Sequence, residues 1–282
     1  MPASINARTA DMCRRFRVLH QSGCFVLPNP FDAGSARLLA GLGFQALATT
    51  SAGFAWSLGR VDNGVTLDEA LTHYRAIAAS VDVPVNADFE GGFAVAAEAV
   101  AANVAAAAGT GIAGLSIEDS TGDAAHPLFE FDLAVDRVRA ARSAIDASGT
   151  AIVLTGRSEG FLVGRPDLGE TIRRLTAYAE AGADCLYAPH LRSLEQVSEV
   201  VRAVAPRPVN VLVGSNFSTV ATLAELGVRR ISVGGALARA ALTGFLAAAT
   251  EMAERGTFTK LGDIVSFAEL NGRFSERGKE RT

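Results

Sequence analysis

The sequence predicts one α/β domain, a (β/α)8 TIM barrel with an extra helix before the first strand and another after the last barrel helix. Three observations carry this. Short apolar or β-branched runs recur, each followed by a longer helical pattern, which is the alternation of a parallel sheet covered by helices. Eight such units follow one another without a linker, which favours a closed barrel over an open doubly wound sheet. A chain of 282 residues, 49% of them hydrophobic, suits one domain with a large core, so residues 1–282 are expected to form it.

The elements fall in order. Residues 5–22 form an amphipathic helix expected to close the barrel bottom. Strands are expected at 24–28, 46–50, 83–87, 114–117, 151–155, 185–188, 209–213 and 230–233. Helices are expected at 33–41, 67–80, 94–108, 133–147, 168–181, 194–204, 218–226 and 237–254. Thr66, Asp132 and Ser193 stand where N-caps belong, with Glu69 and Gln196 three residues beyond Thr66 and Ser193. Gly182 and Gly227 stand where helices stop. Beyond the eighth helix, Ile264, Val265, Phe267, Leu270 and Phe274 form an apolar stripe with no barrel left to cover. Segment 261–276 is therefore expected to pack on a partner subunit.

Composition excludes several functions. Acids exceed bases by only 30 to 26, so there is neither a basic nucleic-acid footprint nor a polybasic membrane anchor. The apolar run 93–108 is too short to span a bilayer and is interrupted by Glu98 and Asn103. Cys13, Cys24 and Cys185 are odd in number and form no Cys-x-x-Cys pair, which argues against a disulfide framework or zinc cluster. A cytoplasmic setting and a small-molecule substrate are expected.

Barrel chemistry sits at the C-terminal ends of the strands. Three consecutive strand ends carry acids: Asp88-Phe89-Glu90-Gly91-Gly92, Glu118-Asp119-Ser120 and Gly156-Arg157-Ser158-Glu159. Uncompensated carboxylates gathered there repel one another, and a divalent cation resolves the conflict. Oxygen ligands without nearby Cys or His point to Mg²⁺ or Mn²⁺. Asp88, Glu90 and Glu118 are the candidates, while Glu159 and Asp119 serve equally well as helix caps or arginine partners. Thr49-Thr50-Ser51-Ala52-Gly53-Phe54 offers either backbone N–H groups for an anion or a tight turn. His190 either touches substrate or packs, and Asn210 either binds a carboxylate or ties down a loop. Gly214-Ser215-Asn216 and Gly234-Gly235 occupy the usual barrel phosphate position, without an adjacent basic residue.

Five motifs in this order resemble the isocitrate lyase/phosphoenolpyruvate mutase superfamily over nearly the whole chain. They are Pro28-Asn29-Pro30-Phe31-Asp32-Ala33-Gly34-Ser35-Ala36, Thr50-Ser51-Ala52-Gly53, Asp88-Phe89-Glu90-Gly91-Gly92-Phe93, Ile117-Glu118-Asp119-Ser120 and Gly156-Arg157-Ser158-Glu159. The resemblance implies that Ser51, Ala52 and Gly53 bind a substrate carboxylate or phosphoryl group. It implies that Asp88, Glu90 and Glu118 hold Mg²⁺ largely through water, that Arg157 contacts substrate, and that Asp62 is the family's acid on the loop after strand two. It also implies homodimers or homotetramers that exchange C-terminal helices. Two departures matter. Where isocitrate and methylisocitrate lyases carry a cysteine loop, this chain has Ser120-Thr121-Gly122-Asp123-Ala124-Ala125-His126. Where the mutases carry a Lys-Asp-Thr-Asn gate, it has Gly59-Arg60-Val61-Asp62-Asn63-Gly64. The Asp-x-Glu form of the strand-three motif resembles a poorly characterised branch.

The expected activity is a Mg²⁺-dependent carbon–carbon lyase or decarboxylase acting on a small 2-oxo or 2-hydroxy (di)carboxylate through an enolate. Arg157, Glu118, Asp62 and His190 are the expected catalytic residues; Ser51, Ala52, Gly53, Asp88, Arg157 and Asn210 are the expected substrate contacts. The proton donor stays open among Ser120, His126 and His190. A phosphonate P–C bond enzyme and a non-catalytic carboxylate-binding barrel are the alternatives.

Overall fold

A computed structural model describes residues 7–275. The chain runs α1 (Ala7–Leu19), β1 (Phe25–Leu27), α2 (Ala33–Gly41), β2 (Leu47–Ala48), α3 (Ser51–Ser57), α4 (Leu67–Ser80), β3 (Val85–Asp88) and α5 (Ala97–Ala108). It continues through β4 (Gly114–Glu118), α6 (Phe131–Ala147), β5 (Val153–Arg157), α7 (Leu168–Glu180), β6 (Cys185–Tyr187) and α8 (Leu194–Ala203). β7 (Val209–Leu212), α9 (Val220–Glu225), β8 (Arg230–Ser232), α10 (Ala236–Arg255), a 3-10 turn (Thr259–Leu261) and α11 (Phe267–Ser275) complete it. The sheet order is β1-β8-β7-β6-β5-β4-β3-β2, every neighbouring pair parallel, so the expected (β/α)8 barrel is present.

The seam between β1 and β2 is closed by single bonds rather than a ladder. Ala48 N–H donates to Pro28 O at 3.1 Å. Asn29 then joins three strand ends: its Nδ2 donates to Thr49 O, and its Oδ1 accepts from the N–H groups of Val233 and Gly234, each at 2.9 Å.

Most expected elements appear with trimmed ends, the strand expected at 151–155 is displaced to Val153–Arg157, and three further details differ. The helix expected from 133 with Asp132 as its cap begins at Phe131, and its N-cap Glu130 makes no side-chain cap bond. The helix expected from 94 begins at Ala97, after an extended Ala96, and the carbonyls of Ala94 and Val95 are taken by Arg137. The segment after strand two, expected to offer N–H groups to an anion or to form a tight turn, is the short helix α3, capped by Thr50 Oγ1 accepting from Gly53 N–H. Thr66 and Glu69 form the expected reciprocal capping box. Gly182 and Gly227 end their helices at φ 105° and 86°, which glycine adopts freely.

Helix α1 plugs the barrel bottom with Met12, Cys13 and Phe16, all buried. Phe16 meets His20 and Phe25 edge-on. A Cβ at Gly114 would sit 2.5 Å from the Phe16 ring, so glycine there is what lets the plug seat. Along the barrel axis the usual branched apolar filling gives way to buried Asn86, Ser116, Thr155, Asn210, Arg230 and Ser232.

The C-terminal arm is the opposite of buried. Of the 20 residues of α10 only Ala238 and Glu251 are buried, and α11 buries none. Glu251 fixes the elbow beyond α10, accepting from Thr257 Oγ1 at 2.6 Å, Thr259 N at 3.0 Å and Lys260 N at 2.8 Å. Helix α11 meets the barrel where Arg37 lies over the Phe274 ring. Positions 5, 6 and 276 of the expected end helices lie outside the described residues. Among the described residues no helix is long and apolar enough to cross a membrane.

Candidate active site

Asp88, Glu118 and Arg157 are the last residues of β3, β4 and β5, and the register sets Glu118 directly beside Arg157. Arg157 Nη1 lies 3.2 Å from Asp88 Oδ1 and 3.1 Å from Glu118 Oε2. Its Nε and Nη2 both donate to Glu159, and its guanidinium stands 5.1 Å from the Tyr187 ring centroid. The expectation of wholly uncompensated acids is thus corrected in part: one arginine bridges three of them.

The compensation is incomplete. Asp62, Asp88, Glu90, Glu118 and Glu159 gather around a single guanidinium. Burial first, then Asp88 and Asp62, pushes Glu90 up to about 8 against the pull of Arg157. Burial holds Glu118 well above the usual carboxylate range; Glu159, Asp88 and Glu90 add to this while Arg157 opposes it. Asp62 is raised by burial and by Asp88. Arg157 is held charged, because the surrounding acids more than offset its own burial.

Asp88 is fixed from every side. Its Oδ2 accepts from Ser51 N–H and Ser51 Oγ, both at 3.0 Å, its N–H donates to Thr49 Oγ1, and Tyr74 OH donates to its carbonyl. Glu90 follows in a left-handed backbone conformation at φ 47°, as does Phe93 at 55°, a strain that surrounding structure must enforce. Arg137 supplies that enforcement. Fully buried on α6, it donates to the carbonyls of Gly91, Ala94 and Val95 and lies 3.8 Å over the Phe129 ring. Asp119 takes the tying role: it accepts from Glu159 N at 2.7 Å, Tyr178 OH at 2.6 Å and Arg174 at 3.1 Å.

A cavity of about 220 Å³ opens here, lined by Ser51, Ala52, Asp62, Asp88, Arg157 and His190 and, deeper, by Asn210. Glu90 and Glu118 are not in its lining. Gly53 lies behind it, where a Cβ would meet Thr50 Cγ2 at 2.7 Å. Asn210 donates to Ser232 Oγ and accepts from Arg230 Nε. His190, at φ 62°, has its pKa lowered by burial and by Arg157 and Arg192, so it is neutral near pH 7. Ser120 and His126 are outside the lining, and the His126 side chain is 85% exposed beside Asp123. Of the three expected proton donors, His190 alone reaches the cavity. Gly234 and Gly235 line it as well, whereas Gly214 does not.

Among the described residues no three His, Cys, Asp or Glu side chains converge closely enough to hold an ion directly. The donors nonetheless fit a hard cation held through water: they are oxygens only, they outnumber the one guanidinium, and Glu90 and Glu118 are raised by burial first and then by neighbouring acids whose charge a cation would relieve.

Sequence reasoning missed Asn29 as a strand tie, Arg137 as a loop anchor and Arg230 inside the barrel. An arginine on the apolar face of α6 was the visible signal for Arg137; the other two act through contacts far along the chain.

Comparison with known proteins fits this geometry. The profile of phosphoenolpyruvate phosphomutase matches residues 16–253. The chain belongs to that family, within the isocitrate lyase/phosphoenolpyruvate mutase superfamily. It is similar to the crystal structure of a candidate lyase/mutase from Burkholderia cenocepacia J2315, with 48% identity, 95% and 97% of the two chains covered, and a TM-score of 0.92. It is 31% identical to an oxaloacetate decarboxylase of Pseudomonas putida (strain GB-1), covering 82% of this chain and 81% of that one. An oxaloacetate acetylhydrolase, solved with its product oxalate, matches at 25% identity over 96% of both chains with a TM-score of 0.85. The same enzyme is also known with the inhibitor 3,3-difluorooxaloacetate.

Proposed function

We propose that this chain is a Mg²⁺-dependent carbon–carbon lyase or decarboxylase acting on a small 2-oxo or 2-hydroxy carboxylate through an enolate. The observation that carries the reading is the surplus of carboxylates around Arg157 at one small cavity. Asp88, Glu90 and Glu118 would hold Mg²⁺, or Mn²⁺, through water. The bound ion would supply Lewis-acid stabilisation of negative charge at the 2-oxygen.

The residues divide the remaining work. Ser51 and Ala52 sit where a substrate carboxylate enters, with Gly53 shaping the turn behind them. Arg157 draws charge toward itself as the carbon–carbon bond breaks and its electron pair passes to the enolate. Asp62 and neutral His190 stand at the cavity mouth, where His190 can relay a proton to the enolate carbon. A cavity of about 220 Å³ limits the substrate to a few carbons.

The test is product analysis with Mg²⁺. Pyruvate release from oxaloacetate or substituted malates is expected, falling by about 10²-fold or more in Asp88→Ala. Gly234 and Gly235 in the lining favour a phosphonate enzyme as the second reading, and phosphate release from phosphonopyruvate would select it. If neither product forms with Mg²⁺ or Mn²⁺, and Asp88→Ala binds oxalate as tightly as wild type, a carboxylate-binding barrel is what is left.

A further inference from the structure

Arg230 opens β8 and points into the barrel, only 3% exposed, in the floor of the cavity that Arg157 lines higher up. Its three named partners are all neutral. Nε donates to Asn210 Oδ1 at 2.9 Å, Nη2 donates to Thr155 Oγ1 at 3.1 Å, and Nη1 lies 3.4 Å from His20 Nε2. His20 Nδ1 is committed to Phe16 O at 2.7 Å, and a carbonyl only accepts, so Nε2 is the acceptor facing Arg230. Burial, and then Arg230 itself, pushes the His20 pKa down to about 3, which keeps that ring neutral.

Among the described residues Arg230 makes no ion pair, in contrast to half-buried Arg157 and buried Arg174, which each meet carboxylates. Arg137 also lacks an acid but satisfies three backbone carbonyls. A guanidinium has five N–H groups, and three bonds leave two of Arg230's unassigned. A buried cation without a counter-charge is costly, so such a site is built for an anion that arrives. The neighbouring wall is polar: Ser116 lines the cavity, and so does Asn86, whose Oδ1 has no partner.

The layering constrains the anion. Arg230 bonds Thr155, which precedes Arg157 by two residues on β5, so it meets the barrel wall one side-chain layer, about 6–7 Å of strand, below Arg157. A four- or five-carbon dicarboxylate with one end at the mouth directs its other end toward that layer. We propose that Arg230 is a specificity-determining residue that receives the second carboxylate of such a substrate, while the first carboxylate and its 2-oxygen occupy the mouth. The proposal rests on the lyase or decarboxylase reading above.

Binding with Mg²⁺, measured by calorimetry, tests it with two probes. Oxalate fills the mouth only; 3,3-difluorooxaloacetate also carries the second carboxylate. Arg230→Gln is expected to weaken difluorooxaloacetate by about tenfold or more while oxalate affinity changes by less than about threefold. Thr155→Asp gives Arg230 an internal counter-charge without deleting it, and the same selective loss is expected with the melting temperature preserved. That second variant decides the matter if Arg230→Gln does not fold. Equal losses for both probes, or unchanged difluorooxaloacetate affinity, overturn the assignment of Arg230. Failure of the wild-type protein to bind oxalate with Mg²⁺ is a separate outcome that overturns the underlying reading first.

Discussion

Arg157 holds three carboxylates with one planar fork, and that geometry is what an ammonium cannot copy. Arg157→Lys keeps the charge and loses the simultaneous bonds to Asp88, Glu118 and Glu159. Turnover is expected to fall by about 10²-fold or more while the fold survives, which steady-state kinetics beside circular dichroism would show; near-normal turnover would mean that charge alone suffices. The acids and Arg157 were legible in the sequence because each stands at a strand end, where barrel chemistry collects. Their pairing was not, because it depends on the β4–β5 register that places Glu118 beside Arg157. Arg230 and Asn29 were illegible for a related reason: their partners lie up to 210 positions away in the chain. Two buried histidines make a prediction outside the site. Burial lowers His73, stacked on Phe54, to about 4 and His20 to about 3. Both are neutral in the folded chain, whereas an unfolded histidine takes up its proton below about 6.5. Stability from these groups is therefore present above pH 6.5 and lost as pH falls toward 4, at about 1.4 kcal/mol per pH unit for each histidine. Thermal melts from pH 7 to 4 should show the decline, and His73→Leu should flatten it; an unchanged slope would sink the attribution to His73.

At the scale of elements, the loop from Phe89 to Val95 is where local preference and tertiary need part company. Glu90 and Phe93 take left-handed backbone angles that their side chains disfavour, and Arg137 on α6 is the brace that holds them there. Arg137→Met keeps the stacking surface for Phe129 but strands three carbonyls, so a loss of about 3 kcal/mol or more is expected. Denaturant melts measure that cost, and Mg²⁺-dependent oxalate binding should weaken with it, since Glu90 loses its support. A destabilised protein with wild-type Mg²⁺ and oxalate affinity would show that the brace serves the fold alone. The same tension explains which elements were readable. Helices such as α4 and α8 carry strong caps and periodic apolar faces, so their bounds came through almost intact. Helix α3 did not, because Ser51-Ala52-Gly53 reads as a turn and its seven residues are too few to show a period. Asp132 looked like a cap, yet α6 starts earlier, with Phe131 half-buried against the core and Glu130 left as an unassisted N-cap.

For the whole molecule, the unsatisfied surface lies at the C-terminal end. A barrel's last helix normally covers its own sheet, but α10 leaves Leu242 41%, Phe245 67% and Leu246 59% exposed, a stripe at i, i+3 and i+4. Beyond the Glu251 elbow, Phe258, Ile264, Val265, Phe267 and Leu270 extend the apolar surface, and Phe267 is 85% exposed. Burying a side chain of this size is worth about 1.5–3 kcal/mol, so leaving the whole set in water forfeits a large fraction of a domain's net stability. Only the Phe274 end of α11 finds a home on its own chain, beside Arg37. We propose that a second copy covers this arm, as the apolar stripe at 261–276 led us to expect, and that the chain assembles as a dimer or tetramer. Light scattering at micromolar concentration should give twice or four times the 29.2 kDa chain mass. The double variant Phe245→Asp/Phe267→Asp should lower that mass and the melting temperature together, since both charges would enter the covered face. Neither residue touches the Arg157 cavity, so the dissociated variant also reports whether the site is complete within one chain. A wild-type protein that runs as a single 29.2 kDa species across the concentration range would rule the assembly out.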